Sequence, residues 1–246
     1  MPVGAWLGKA LVEAYLTRPN HTVIGSVRDK QTAQAQGLLK LPTAEGSKLL
    51  LVKIDSLSNT DAAEAVKELQ TAGVNHLDVV IANAGGTVGE VKPLTQVTAQ
   101  SLLDNFAVNT VGPVLLFQAV HPLLEKASKD GRNPKWITVG SAAGSITNVE
   151  KWKAYVVPAY GTAKAGVHWI TVAAHSGNPW LVALAAHPGF VQTESGNRSA
   201  RGIGLEKAPD TVEKSIAALT KLIDGATREE TSGKFWHAIE ETTIPW

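Results

Sequence analysis

Cysteine is absent from all 246 residues, and charge of either sign is nearly balanced, with 23 basic and 22 acidic side chains. Without thiols the chain can form no disulfide, no thiolate nucleophile and no cysteine-ligated metal site. A net charge of +1 gives no reason to expect nucleic acid or an anionic membrane as a partner. We therefore expect neither a nucleic-acid partner nor a disulfide framework.

Long apolar runs and targeting signals are also missing. No apolar run approaches the length of a membrane span, and the apolar start from Pro2 to Leu7 lacks the basic residues of a signal peptide. No pair of histidines has zinc-like spacing together with a carboxylate partner. These absences predict a cytoplasmic protein with no membrane partner and no metal.

Short apolar, β-branched runs alternate with longer helical stretches along the whole chain. Because the runs are apolar throughout, they are typical of parallel strands that are buried on both faces. This alternation predicts stacked βαβ units, that is, one doubly wound Rossmann-type α/β domain over residues 1–246. The predicted strands are His21–Val27, Lys48–Ile54, Leu77–Ala82, Trp136–Val139 and Leu181–Ala186. The predicted helices are Leu7–Leu16, Asp61–Thr71, Thr98–Leu124, Ala159–Ala174 and Thr211–Ile223, and the segments Ser145–Pro158 and Gln192–Pro209 are predicted to be irregular loops.

Tyr160 and Lys164 carry the strongest chemical signal. Four residues apart on a helix, they share one face, and an ammonium that close is expected to lower the pKa of the phenol. Tyr160 would then exchange a proton with a substrate near neutral pH. Taken alone, a tyrosine and a lysine at this spacing are a weak signal, because most such pairs lie on an ordinary helix surface.

Four further motifs accompany the pair, three of them after a predicted strand. They are Asn83-Ala84-Gly85-Gly86 after the third strand, Asn109 in the long helix, Ser141 in the turn after the fourth strand, and His187-Pro188-Gly189 with Thr193 after the fifth. The carboxyl ends of parallel strands lie at one edge of a sheet, where open α/β sheets bind ligands.

In order and placement, these motifs resemble the short-chain dehydrogenase/reductase family from about Gly8 to the C-terminus. The segments Trp152–Tyr160 and His187–Glu194 and the ending Ile244-Pro245-Trp246 are most similar to fungal ketoreductases of the norsolorinic acid kind, which implies secondary metabolism. The resemblance implies that Tyr160 protonates the substrate oxygen, that Ser141 binds it, and that Lys164 holds the cofactor ribose. It also implies a proton relay at Asn109.

The same resemblance implies an NADP(H) site. The cofactor-binding residues would be Gly8, Arg28, Asp55, Asn83, Ala84, Gly85, Lys164, Pro188, Gly189 and Thr193. Arg28 closes the second strand expected of the family, where an acidic residue would suit NAD and an arginine suits the 2′-phosphate of NADP. Trp152, Tyr155 and Phe190 form either an aromatic wall for a flat substrate or part of the core. Members of the family also associate through the long helices, which implies a homo-oligomer.

The amino-terminal glycine motif is where the chain departs from the family. Alignment of the first helix places Gly8 on the third glycine, Trp6 on the second and Pro2 on the first, and it leaves the first, central strand missing. An indole at the second position would occupy space that the cofactor's pyrophosphate needs. We therefore expect weakened affinity for NADP(H) and a gap in the sheet.

Three functions stay open on the sequence alone. The first is an NADPH-dependent ketoreductase that acts on a largely apolar carbonyl compound of polyketide type, aromatic or not. The second is a relative that works without cofactor as an isomerase, cyclase or dehydratase and uses Tyr160 and Ser141 as acid and hydrogen-bond donor. The third is a non-catalytic relative.

Overall fold

Strands and helices alternate in residues 7–246, the part of the chain that the computed structural model describes. The strands are β1 (Thr22–Val27), β2 (Lys48–Lys53), β3 (Val79–Ala82), β4 (Lys135–Val139), β5 (Val182–His187), β6 (Phe235–His237) and β7 (Thr242–Ile244). The α-helices are α1 (Leu7–Leu16), α2 (Ala33–Leu38), α3 (Asp61–Thr71), α4 (Ala99–Phe106), α5 (Gly112–Lys129), α6 (Pro158–Gly177), α7 (Glu194–Gly202) and α8 (Val212–Gly225). A π-helical turn, Ala107–Val111, joins α4 to α5 into one continuous helix.

The strands form two sheets. β1 pairs with β2 in parallel, with Thr22 opposite Lys48, and β3 to β6 form a parallel sheet in sequence order, with β7 antiparallel at its edge. The doubly wound α/β prediction is confirmed. Helices α3 and α5 contact each other on one side, and α1 and α8 do so on another.

The expected gap in the sheet lies between β1 and β3, because no ladder joins these strands within residues 7–246. Helix α1 packs against both sheets. Its Leu11 joins the apolar cluster that contains Ile137 and Leu184 of the larger sheet, while Val12 lies close to Gly25 of β1. Pro2 and Trp6, on which the prediction of an obstructed pyrophosphate site rests, lie outside the described residues.

Strands β4 and β5 form the centre of the core. Trp136 and Ile137 of β4 and Leu184 of β5 are fully buried, and apolar clusters cover both faces of this part of the sheet. Continuous burial explains why these strands show apolar runs and no alternation of apolar and polar residues.

Some elements differ from the sequence prediction. Helix α7 lies inside Gln192–Pro209, which was predicted to be an irregular loop. The helix was missed because its residues show no apolar stripe. Thr193 is its N-cap, and the Thr193 hydroxyl accepts the N–H of Gly196 at 3.0 Å. The strands β6 and β7 were also missed, because three-residue strands are too short for periodicity to detect. The long helix was predicted to end at Leu124 and ends at Lys129.

The long helix corrects a second expectation. By length and composition alone, the continuous helix Ala99–Lys129 is apolar enough to cross a membrane, whereas the sequence was expected to contain no such run. This is weak evidence, because core helices pass the same test. The helix also buries Asn105, Asn109 and Thr110, whose side chains are hydrogen-bonded to other parts of the protein.

Candidate active site

The predicted site residues line part of one open cavity of about 3210 Å³, which extends through the gap between β1 and β3 and reaches both edges of the sheet. The cavity runs from β1 along the end of β3 to the turns after β4 and β5. Its lining includes all of the predicted positions except Asn109, namely Gly8, Arg28, Asp55, Asn83, Ala84, Gly85, Ser141, Tyr160, Lys164, Pro188, Gly189 and Thr193. The fold therefore gathers motifs that lie up to 185 residues apart in the sequence.

Tyr160 and Lys164 lie in the first two turns of α6, as their spacing predicts. The Lys164 ammonium is 5.7 Å from the centre of the Tyr160 ring and donates to the carbonyl oxygen of Val139 at 2.9 Å. Lys164 is only 5% exposed, and burial lowers its pKa to about 8. It forms no salt bridge with any residue of the described chain.

The pKa of Tyr160 shifts in the direction opposite to the sequence expectation. Desolvation raises it, and the nearby Ser141 hydroxyl opposes that effect, although the two oxygens do not satisfy hydrogen-bond geometry. The proximity of Lys164 was expected to lower the pKa, but burial of the phenol dominates. A phenol with a raised pKa keeps its proton at neutral pH, which suits a proton donor.

Ser141 begins a short 3₁₀ turn, Ala142–Gly144, directly after β4. Its hydroxyl oxygen accepts the N–H of Ala143 at 3.3 Å, so the hydroxyl proton is free to point into the cavity. The turn packs closely against α6 at two glycines. A Cβ on Gly144 of the turn would lie 2.8 Å from the Lys164 carbonyl carbon, and a Cβ on Gly161 of α6 would lie 2.9 Å from the Ala143 carbonyl oxygen. This contact holds Ser141 beside Tyr160.

Asn109 lies in the π-helical turn and anchors the loop that follows β3. Its amide nitrogen donates to the carbonyl oxygens of Gly86 and Asn105 at 2.9 and 3.0 Å, and its oxygen accepts the N–H of Gly86 at 2.9 Å. Such π-helical turns are frequent at functional sites. The side chain thus fixes the backbone path of the loop, and the proton relay at Asn109 stays a prediction.

The loop itself requires glycine. Gly85 and Gly86 have φ values of 155° and 143°, and a Cβ on Gly85 would lie 2.7 Å from Asn109 Oδ1 and 3.5 Å from Lys164 Nζ. The backbone therefore passes close to the buried lysine with no side chain between them.

The predicted adenosine end of the site contains Gly8, Arg28 and Asp55. A Cβ on Gly8 would lie 2.7 Å from Asn83 Nδ2, so helix α1 approaches the end of β3 closely, as the third glycine of a dinucleotide motif allows. Arg28 is exposed at the end of β1 and forms no salt bridge within the described chain. The Asp55 carboxylate accepts the N–H of Leu57 at 2.9 Å and shapes the turn after β2.

Pro188, Gly189 and Thr193 form the opposite wall. Gly189 has a φ of 93°, and a Cβ there would lie 2.7 Å from Asp210 Oδ2, so the turn needs glycine. Pro188 is held through its carbonyl oxygen, which accepts the Ser215 hydroxyl at 2.7 Å. Thr193, as the N-cap of α7, places that helix over the cavity.

The aromatic residues separate into two groups. Trp152 and Phe190 line the cavity and are half-buried, whereas Tyr155 is 54% exposed and lies outside the lining. An aromatic wall is therefore limited to Trp152 and Phe190. Trp152 also packs against the cluster that contains Phe235 and Ile244, so it belongs partly to the core.

Two histidines near the site were not predicted to have a role. His168 of α6 and His187 at the end of β5 lie directly behind the Ser141 turn and accept hydrogen bonds from its backbone. His168 follows Lys164 by four residues on the same helix. This spacing places it on the helix face that carries Tyr160 and Lys164, and it was the one sequence signal for a role at the site.

This geometry is that of a Rossmann-type oxidoreductase site, with a Ser–Tyr–Lys set at the carboxyl edge of a parallel sheet. The chain belongs to the short-chain dehydrogenase family: residues 3–204 match the family model described as short chain dehydrogenase.

Relatives and solved structures agree with that assignment. The short-chain dehydrogenase srdF of Neurospora crassa is 47% identical over 99% of this chain and 95% of its own length. The norsolorinic acid ketoreductase nor1 of Dothistroma septosporum is 37% identical over 98% of this chain and 88% of its own. The NADPH-bound carbonyl reductase from chicken fatty liver shares the fold, with a TM-score of 0.86 at 24% identity over 98% of this chain and 90% of that one.

Proposed function

We propose that this protein is an NADPH-dependent ketoreductase that reduces the carbonyl group of a largely apolar compound of polyketide type. The observation that carries the proposal is the buried Lys164, which has no carboxylate partner in the described chain and lies beside Tyr160 and Ser141. A buried, unpaired lysine is costly for folding, and perturbed groups of this kind cluster in active sites. Lys164 also lines the cavity, together with Gly85, Ser141 and Tyr160.

The residues present fit an extended dinucleotide. The positive φ values of Gly85 and Gly86 bring the backbone close to Lys164, and the cavity continues from there to Arg28 at the end of β1. The amino end of α1 at Leu7 and Gly8 faces the same cavity, where a helix terminus favours phosphate. When bound, NADPH supplies a hydride to the carbonyl carbon of the substrate.

Three side chains would carry out the rest of the reduction. Tyr160, whose raised pKa keeps the phenol protonated, donates its proton to the carbonyl oxygen as that oxygen gains charge. Ser141 donates a hydrogen bond to the same oxygen. Lys164 holds the ribose through its ammonium, which also stabilises the tyrosinate left behind.

Preference for NADPH over NADH rests on Arg28. The guanidinium is exposed at the end of β1 and is not engaged in a salt bridge within the described chain, so it is free to bind a 2′-phosphate through a pair of hydrogen bonds. The carboxylate of the neighbouring Asp29 accepts the N–H of Gln31 at 2.8 Å, which orients that side chain within the turn.

The substrate class rests on the cavity lining and on the relatives. Trp152 and Phe190 give the cavity an aromatic wall, and several relatives at 36–37% identity are norsolorinic acid ketoreductases. A role in secondary metabolism, a cytoplasmic location and a homo-oligomeric state are further parts of the proposal.

The experiment is NADPH oxidation at 340 nm with a polycyclic aromatic quinone as the carbonyl substrate. We expect Tyr160→Phe to lower turnover by about two or more orders of magnitude because the variant keeps the ring and loses the proton. Tyr155→Phe is the matched control: it makes the same change five residues away, outside the cavity, and is expected to leave turnover unchanged. Equal rates for Tyr160→Phe and the unaltered protein would contradict the assignment of the donor.

Calorimetry with NADPH tests the cofactor. We expect binding that is weaker than in relatives with an intact glycine motif, since Trp6 stands at the position of the second glycine. Complete absence of binding would contradict the ketoreductase proposal and favour the cofactor-free isomerase, cyclase or dehydratase.

A further inference from the structure

The backbone of the Ser141 turn is held from behind by two histidine rings. The N–H of Ser141 donates to His168 Nε2 at 3.4 Å, and the next N–H, that of Ala142, donates to His187 Nδ1 at 3.3 Å. Both distances are at the long end of the hydrogen-bond range, so each bond contributes modestly. Together they fix two consecutive peptide units, from which the Ser141 side chain projects.

His168 is tightly enclosed. It is 2% exposed, and its ring packs on Phe235 with a centroid distance of 4.2 Å. Gly140 and Gly144 flank the ring closely: a Cβ on Gly140 would lie 2.5 Å from His168 Nε2, and one on Gly144 would lie 2.8 Å from His168 Cε1. The turn therefore wraps around the ring edge, so a shift of the ring would move the turn.

The carboxyl-terminal hairpin, β6 and β7 with Trp246, supports both rings. His187 packs edge-to-face against His237 at 4.8 Å, and Trp246 lies 5.7 Å from His168. The same segment is bonded to the residues after the turn, because the Pro245 carbonyl oxygen accepts the Ser145 hydroxyl at 2.6 Å. The hairpin thus connects the far edge of the sheet to the serine turn.

Both rings must be neutral to accept these hydrogen bonds. Desolvation lowers the pKa of each to about 3; the charge of Lys164 adds to the effect at His168, and His237 and His168 add to it at His187. The nearby backbone of Gly144 opposes this lowering of the pKa at His168. With Nε2 of His168 accepting, its proton lies on Nδ1, a buried atom for which no partner in the described chain satisfies both the distance and the angle of a hydrogen bond. An apolar side chain would avoid burying that unpaired N–H, so stability alone does not account for a histidine here.

We propose that His168 and His187 are positioning residues, which hold the backbone of Ser141 and Ala142 so that the Ser141 hydroxyl faces Tyr160 and the substrate oxygen. This inference rests on the proposed function, in which Ser141 binds that oxygen. Neither ring touches the substrate, and both act through the serine turn.

Amide hydrogen exchange tests the hydrogen bonds without any need for activity. A glutamine amide oxygen reaches about as far as histidine Nε2, and an asparagine oxygen about as far as Nδ1. We expect the Ser141 amide to exchange about tenfold faster in His168→Leu and to regain protection in His168→Gln. The Ala142 amide should respond in the same way to His187→Leu and His187→Asn. Exchange of the β4 amides, measured in the same spectra, corrects for any change in global stability. Unaltered exchange of Ser141 and Ala142 in the two leucine variants would overturn the proposal.

A double-mutant cycle with Ser141→Ala tests the positioning itself, using NADPH and the aromatic quinone. We expect His168→Leu to lower kcat about tenfold with little change in the KM for NADPH, and His168→Gln to restore most of that loss. In the Ser141→Ala background, His168→Leu should cause no further loss, because its effect passes through Ser141. Fully additive losses would show that His168 does not act through Ser141. If the unaltered protein oxidised no NADPH, the proposed function would fail, while the exchange experiment would still decide whether the histidines hold the turn.

Discussion

Burial of the His168 ring predicts a specific loss of stability in acid. The ordinary pKa of a histidine is about 6.5, and in the folded protein desolvation and the nearby Lys164 lower that of His168 to about 3. Below pH 6.5 the unfolded chain therefore binds a proton that the folded chain excludes. The sign follows from this: stability is intact above pH 6.5 and is lost as pH falls from there towards 3.

The size of the effect follows from the two pKa values. At pH 5 the excluded proton lowers the free energy of unfolding by about 2 kcal/mol, whereas at pH 7.5 its effect is about zero. In a chain of this length, about 2 kcal/mol corresponds to a decrease in Tm of about 4–8 °C. His187, which is desolvated in the same way, adds to the acid sensitivity of the unaltered protein.

Two substitutions isolate the contribution of His168. In His168→Gln and His168→Leu the side chain at position 168 has no titratable group, but only the glutamine can still accept the Ser141 N–H. Urea unfolding, monitored by tryptophan fluorescence at pH 7.5 and pH 5, gives the free energy of each variant relative to the unaltered protein. The free energy of unfolding of each variant, relative to that of the unaltered protein, should rise by about 2 kcal/mol between pH 7.5 and pH 5. This rise does not depend on how stable each variant is at pH 7.5. A relative stability that is the same at both pH values would refute the reasoning.

Three other predictions concern the cofactor, the lysine and the helix surface. Arg28→Ala should reduce the preference for NADPH over NADH by about tenfold to a hundredfold, because a charge-assisted contact to phosphate is worth about 1.5–3 kcal/mol; equal use of both cofactors by the unaltered protein would contradict it. Because burial lowers the pKa of Lys164 to about 8, the ammonium is lost as pH rises through 8, and the rate of reduction at saturating NADPH should fall there; a flat profile to pH 9.5 would show that the charge is not needed. Trp169, Leu103 and Phe106 are 73%, 62% and 45% exposed on adjacent helices; we expect a homo-oligomer through this face, which Trp169→Glu should dissociate in analytical ultracentrifugation, and a monomer before substitution would refute it.

The sequence alone determined the order of the long strands and helices, and it predicted the catalytic set. The buried strands are apolar without alternation because both faces are covered, and this pattern located all five long parallel strands to within two residues at either end. The helical repeat placed Tyr160 and Lys164 on one face of α6. The carboxyl-edge rule for parallel strands then predicted that Ser141 and Gly85 would join them, because that rule depends only on strand direction.

Tertiary structure decided what depends on contacts between distant residues. The pKa of Tyr160 rises because burial of the phenol outweighs the lysine one turn away, and local spacing carries no measure of burial. Strand β6 forms through its pairing with β5 and β7, where Phe235 lies opposite Ala185 and Ile244, so no signal within its three residues could reveal it. The same hairpin packs Phe235 and Trp246 against the His168 ring, which accepts the N–H of Ser141. The position of His168 in the sequence does not reveal these contacts. A sequence specifies which residues can form a helix or a strand, but burial and hydrogen-bond partners are properties of the packed molecule.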